Sequence, residues 1–297
     1  MKIIEQTASV SFSNILLATD LSPSSEMALQ YAKVMGRERA THVHTLHVGG
    51  PDNYQLLCPE AFAATFNEMH PAPQSDSEAM KALLTGLPCE VPLHGSKVWE
   101  VISNVVARNE IDLLILGTHG RKGLQKLLFG SVAEEVFRNV RCPVLTVGPD
   151  VEDPGPGRLV MNTVLLSTDF NPHSAAPAYA HSFCEQFGAE LSVLHVAGKD
   201  EPSGPGMPWR QVRDQIVSVV PRILDLVRKP VFLVEYGEPA PRILQVAETL
   251  EADLIVLGAR HPRDTQAASH LPWDTAARVI SGAKCPVLTV RDQEAAR

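Results

Sequence analysis

Ile111-Asp112-Leu113-Leu114-Ile115-Leu116-Gly117-Thr118-His119-Gly120-Arg121-Lys122-Gly123, followed by Gly130-Ser131, is the stretch whose reading decides the fold. Its opening run of Leu and Ile reads as a strand covered on both faces. That strand runs into a glycine-rich loop and then a helix opening Ser131-Val132-Ala133-Glu134. A buried strand ending in such a loop, with a helix N-terminus behind it, is a place to hold phosphate. Gly120 and Gly130 allow backbone amides to approach a ligand with no Cβ in the way. Ser131 can also cap its helix, and Ser131 with Glu134 has capping-box spacing.

Working outward, the chain repeats itself. Ile15-Leu16-Leu17-Ala18-Thr19-Asp20 has a partner in Val164-Leu165-Leu166-Ser167-Thr168-Asp169. Leu46-His47-Val48 matches Leu194-His195-Val196. Asp112-Leu113-Leu114-Ile115-Leu116-Gly117 matches Asp253-Leu254-Ile255-Val256-Leu257-Gly258, and Cys142-Pro143-Val144 matches Cys285-Pro286-Val287. The same matches in the same order mean one domain present twice, with boundaries at 1–150 and 158–297. Between them lies Asp150-Val151-Glu152-Asp153-Pro154-Gly155-Pro156-Gly157, a Pro/Gly linker that continues neither a strand nor a helix.

Within the first copy, strands are expected near 14–19, 42–48, 89–93, 111–117 and 143–148, and helices near 23–38, 61–85, 97–109 and 131–140. In the second, strands are expected near 163–168, 190–196, 230–235, 253–258 and 286–291. Ser22 and Pro23 suit the cap and first turn of the first helix. Alternating strands and helices imply right-handed crossovers and a parallel sheet, with ligands beyond the carboxyl ends of the strands at the switch in strand order. Asp20, Val48 and Gly117 all fall at such ends.

The bulk composition narrows the class. At 297 residues, with 44% hydrophobic content, the chain fits two ordinary globular domains. Its net charge of -8 argues against a nucleic-acid partner. No apolar run is long enough for a membrane span, and no signal peptide is expected. The five cysteines, without CxxC spacing, fit reduced thiols in a cytoplasm.

Taken together these residues resemble the universal stress protein family, here as a tandem member. The family's nucleotide motif is Gly, two residues, Gly, nine residues, Gly, then Ser or Thr, and Gly117, Gly120, Gly130 and Ser131 match it at every spacing. The resemblance implies two doubly wound, Rossmann-like domains of the adenine nucleotide alpha hydrolase-like kind. Each would be a five-stranded parallel sheet with helices on both faces. It also implies ATP, with or without Mg2+, in the first domain. By position, Asp20 would hold the adenosine part and Ala18 would line the adenine pocket. Val48 would pair with adenine through its backbone. Leu116 and Gly117 would flank the ribose, and Gly120, Gly130 and Ser131 would take the phosphates. The two domains would pack as an intramolecular pseudo-dimer through their final strands, with a further homodimer left open.

The second copy departs from the motif. Gly120 becomes His261, followed by Pro262, which has no amide to donate. Gly130 becomes Trp273 and Ser131 becomes Asp274, whose carboxylate repels phosphate. Asp169 and Val196 remain, so the second domain is expected either not to bind ATP or to bind something else.

Plainer readings stand beside these. Asp20 suits a helix cap as well as a ligand contact. Arg121, Lys122 and Lys126 read as a solvated rim. His42 and His44 share one strand face with His47 on the other, but no third metal ligand is visible at suitable spacing, so no metal is expected. Cys142 and Cys285 read as core residues, and Trp209 and Trp273 as packing residues. No GxSxG elbow, Walker motif or carboxylate pair is present, and no catalytic residue is expected. The leading function is a nucleotide-binding stress or regulatory protein. A slow ATPase or other nucleotide-processing enzyme is the competing class, and a scaffold without a ligand the third.

Overall fold

The computed structural model describes residues 12–21, 23–37, 41–50, 53–60, 97–117, 135–137, 139–148, 150–154, 160–171, 174–198, 228–259 and 273–291, with isolated positions between 210 and 226. The chain divides into two compact units, one carrying Phe12–Val160 and the other Met161–Val279 with Val287–Arg297.

In the first unit, β1 (Asn14–Thr19) leads into α1 (Pro23–Gly36), then β2 (His42–Gly50) and β3 (Asn53–Leu57). After these come α2 (Val98–Arg108), β4 (Leu113–Gly117) and β5 (Val144–Val147). The sheet order is β3-β2-β1-β4-β5. The chain leaves β1 for β2 on one side and returns to β4 on the other, so the switch in strand order lies between β1 and β4. Ile15, Leu16 and Leu17 are fully buried, as are Leu113, Leu114 and Ile115. Successive strand residues point to opposite faces, so unbroken burial means that both faces of the central strands are covered.

The second unit repeats the plan. It contains β6 (Thr163–Ser167), α3 (Ala176–Phe187), β7 (Glu190–Ala197) and β8 (Val231–Tyr236). These are followed by α4 (Pro239–Thr249), β9 (Leu254–Ala259), α5 (Trp273–Gly282) and β10 (Val287–Arg291). Its order is β10-β9-β6-β7-β8, and every pairing is parallel. α3 stops at Gly188, whose φ of 68° is the left-handed conformation that glycine adopts without a Cβ penalty.

The first unit differs from the expected all-parallel sheet at one edge. Its outer described strand, β3, runs antiparallel to β2, pairing Thr45 with Leu57 and Val48 with Tyr54. Only Pro51 and Asp52 separate the two strands, too short a connection for a crossover, so the chain must double back. The expected strand near 89–93 and helix near 61–85 lie outside the described residues, as does Ser22. Of the helix expected near 131–140, residues 135–137 and 139 are helical.

One polar device is built identically into both units. The Asp112 carboxylate accepts the backbone N–H of Ser13 at 2.7 Å and of Asn14 at 3.1 Å. Asp253 accepts those of Asn162 at 2.7 Å and Thr163 at 2.9 Å. In return the Asp112 and Asp253 N–H groups donate to the Asn14 and Thr163 carbonyls, each at 2.9 Å. The residue two before each aspartate, Glu110 or Glu251, takes φ 49°. That conformation turns the chain from a helix end onto the strand. Burial pushes the Asp112 carboxyl up, against the pull of the Ser13 and Asn14 amides.

Replacing Asp112 or Asp253 by Ala leaves two strand-end amides without their charged acceptor. Each substitution is expected to lower unfolding stability by about 1–3 kcal/mol, read as a drop in urea midpoint. Asn, which keeps one carbonyl oxygen, is expected to lose less. Midpoints for both Ala variants equal to the parent chain's would show that the bracket is idle.

Candidate functional site

Of the three positions expected at carboxyl ends, Asp20 and Gly117 follow and end the neighbouring strands β1 and β4. Ala18 on β1 is level with Leu46 on β2 and with Leu116 on β4. Leu116 is in turn level with Thr146 on β5, and Gly117 with Val147. Asp20 therefore leaves β1 directly beside the last residues of β4, at the switch point. Leu46 is fully buried and Leu116 is 6% exposed, yet Ala18 between them is partly open to solvent. Ala18 is thus a small, partly exposed residue set between two buried leucines at the switch point. Gly117 and Asp20 are also partly exposed.

Val48 differs from its expected position as a strand end. β2 runs on to Gly50, with an irregularity between Val48 and Gly50, and Val48 is paired with Tyr54. Gly120, Gly130 and Ser131 lie outside the described residues, as do His119, Arg121, Lys122 and Lys126.

The turn after β1 carries a feature that the sequence did not announce. Leu21 has φ 57°, and its counterpart Phe170 in the second unit has φ 60°. For a residue with a branched or bulky side chain this left-handed conformation costs about 1–2 kcal/mol. Both turns are held by the preceding threonine. Thr19 Oγ1 accepts the Leu21 N–H at 3.0 Å, and Thr168 Oγ1 accepts the Phe170 N–H at 3.1 Å. In the first unit the same Thr19 hydroxyl meets Ser25 Oγ at 2.9 Å, tying the turn to α1. Strain of this kind persists where the surroundings over-determine it, and it gathers at ligand clamps.

In the second unit the carboxyl ends align in the same way. Ser167 takes the place of Ala18, level with Leu194 and Leu257. There Ser167 is only 3% exposed, where Ala18 is partly exposed. Trp273 and Asp274 form the first turn of α5. His261 and Pro262 lie outside the described residues.

Other groups have simpler roles. His42 is exposed, His44 half-buried and His47 buried, the expected alternation. Burial, then the neighbouring His42, pushes His44 down, opposed by Glu60. Among the described residues, no three His, Cys, Asp or Glu side chains are gathered to hold a metal. No described helix is long and apolar enough to cross a membrane. Burial pushes the Cys142 and Cys184 thiols up to about 12.

The family model of universal stress proteins matches this chain twice, over residues 11–148 and 161–291. This chain belongs to the universal stress protein family. A universal stress protein of Mycobacterium tuberculosis is 25% identical over 314 residues, covering 93% of this chain and 94% of its own. One from Methanocaldococcus jannaschii is 28% identical over 141 residues, covering 46% of this chain and 82% of its own. Among solved structures, a universal stress protein from Archaeoglobus fulgidus superposes with a TM-score of 0.63 at 20% identity, covering 96% of this chain and all of that one. The fold is therefore that of tandem universal stress protein domains.

The thiols give a direct check. Cys142, expected in the core, is half-buried just before β5, whereas Cys184 on α3 is buried and Cys58 exposed. Iodoacetamide at pH 8 is expected to modify Cys58 well before Cys184, read by peptide mass spectrometry on native protein. Equal labelling of the two would show that the α3 thiol is not shielded as described.

Proposed function

We propose that this protein is a cytoplasmic, ATP-binding stress-response or regulatory protein whose nucleotide sits in the first unit. The observation that carries this reading is the partly exposed Ala18, set between buried Leu46 and Leu116 at the switch point. An adenine ring laid there would meet apolar surface, with the Asp20 carboxylate beside it for hydroxyl or amino donors. Leu116 and Gly117 border the ribose position. The phosphates extend toward Gly120, Gly130 and Ser131, whose spacing matches the family motif. The sequence expects a glycine-rich loop and a helix N-terminus at those residues, and such an arrangement favours negative charge. Val48 contributes backbone contacts to the base from within β2, not from its end.

The reaction class follows from what the site offers. ATP hydrolysis needs a positioned water and neutralisation of the leaving group. Neither role is filled by a described side chain near Asp20. The bound nucleotide then acts by stabilising whichever state holds it better. Mg2+, where it accompanies ATP, would be carried by the phosphates.

A thermal shift experiment tests the reading. ATP-Mg at one hundred times its dissociation constant would stabilise the folded chain by about 2.7 kcal/mol, several degrees for a domain of this size. Ala18→Leu, which fills that position, and Gly120→Arg, which fills the phosphate loop, are each expected to abolish the shift. Retention of the full shift in Ala18→Leu would place the nucleotide elsewhere. No shift for the parent chain at millimolar ATP would remove the proposal.

A further inference from the structure

β8, Val231-Phe232-Leu233-Val234-Glu235-Tyr236, is the outer strand of the second unit's sheet, and among the described residues no strand lies beyond it. Its neighbour β7 is buried at every position after Glu190, yet no residue of β8 is buried. Val231 is 52% exposed and Tyr236 38%. In a strand, the N–H and C=O of one residue point to one side and those of the next to the other. The Gly237 N–H donates to the Ala197 carbonyl of β7 at 3.1 Å, so Val231, Leu233 and Glu235 also turn their backbone groups inward. Phe232, Val234 and Tyr236 turn theirs outward. In keeping with this, the Tyr236 carbonyl accepts the Arg242 Nε–H of α4 at 3.1 Å. A row of open N–H and C=O groups on an apolar strand is a template for another strand. Pro230 before β8 and Arg242 at its end blunt the two limits of this edge. Between them, Val231 to Val234 carry no charge.

We propose that β8 is a self-association surface, at which two copies of this chain join by antiparallel pairing of β8 with β8 about a twofold axis at Leu233. An antiparallel pair sets outward residue against outward residue. The register centred on Leu233 places Phe232 opposite the second copy's Val234, and Val234 opposite its Phe232. Each of these pairs exchanges both N–H···O bonds, so the open groups of Phe232 and Val234 are all used. Next along, Tyr236 falls opposite Pro230, which has no N–H to offer. The Tyr236 carbonyl needs none, because Arg242 already serves it. Pro230 is buried, so the ladder ends there. On the axis Leu233 meets its own twin in a non-hydrogen-bonded pair, where side chains come closer. Glu235 lies opposite Val231 and diagonally across from exposed Lys229, and no like charges stand opposite each other. Moving the axis to Val234 would aim the Phe232 N–H at the carbonyl that Arg242 occupies and leave Glu235 with no cation diagonal to it. The occupant is a second copy because the strand complements itself: apolar centre on apolar centre, carboxylate near cation, served carbonyl against the residue without a donor. Such an isologous contact closes after two copies. It uses no residue of the first unit, so it stands apart from the nucleotide reading.

Sedimentation equilibrium of the full chain reads the association, and cysteine cross-linking reads its register. The parent chain is expected to pass from monomer to dimer between about 1 and 100 μM. Val234→Pro removes an outward amide without touching the ladder to β7, a change that edge strands tolerate. It is expected to raise the dimer dissociation constant about tenfold or more, since the twofold axis doubles the loss, with the circular dichroism spectrum kept. For cross-linking, exposed Cys58 is first replaced by Ser. In that background Leu233→Cys is expected to form a disulfide-linked dimer on mild oxidation, read on a non-reducing gel. Val231→Cys and Glu235→Cys are expected to cross-link when mixed and not when alone. A parent chain that stays monomeric throughout that range would overturn the proposal. So would an undiminished dimer in Val234→Pro, or a dimeric Leu233→Cys chain that forms no cross-link, because either would put the contact on another surface. Val231→Cys cross-linking alone as readily as in the mixture would overturn the register.

Discussion

The register between β1 and β4 is set at their amino ends by a single carboxylate, and the site at their carboxyl ends depends on it. Asp112 takes the first two amides of β1 and donates its own amide back to Asn14, which fixes Ile15 opposite Leu113. Three residues later that register makes Ala18 level with Leu116. A slip of one residue would turn every side chain of β1 to the other face and bring Thr19 where Ala18 now lies. The hydrophobic pattern cannot prevent such a slip by itself, because Ile15, Leu16 and Leu17 are buried on both faces. A directional polar contact is needed where apolar burial is indifferent to register. Asp253 performs the same service for β6 and β9, which is why the two switch points can be compared residue by residue.

Much of this was legible in the sequence because the chain writes the same domain twice. A lone Asp before an apolar run says little, but Asp112 and Asp253 before matching runs mark a position with a job. The strand ends at Asp20 and Gly117 could be placed from apolar runs and turn residues alone. β3 could not. The fifth strand of the first copy was expected near 89–93, and no strand was read in Asn53-Tyr54-Gln55-Leu56-Leu57. The short Pro51-Asp52 connection was the signal, and it weighs only once β2 is known to continue past Val48.

The left-handed residues at Leu21 and Phe170 were not legible, for a physical reason. Glycine or asparagine announces such a conformation; leucine and phenylalanine argue against it. The conformation is held by a local threonine hydroxyl two residues earlier in both turns, and in the second unit a buried histidine from β7 contacts the turn as well. His47 and His195 looked like part of a strand motif, and the sequence showed only that each lies on the face opposite its leucine neighbours. In the second unit that face carries the His195 contact to the turn.

Duplication supplies an internal control that single-domain relatives lack. Ala18 and Ser167 hold the same register position in the two units, yet Ala18 is partly exposed and Ser167 is 3% exposed. The carboxylate bracket is common to both, so it does not account for the difference. The turns themselves differ: Thr19 meets Ser25 Oγ in the first unit, and in the second His195 meets the Thr168 carbonyl and the Phe170 ring. The second copy has therefore diverged at the turn as well as in the sequence of its phosphate loop.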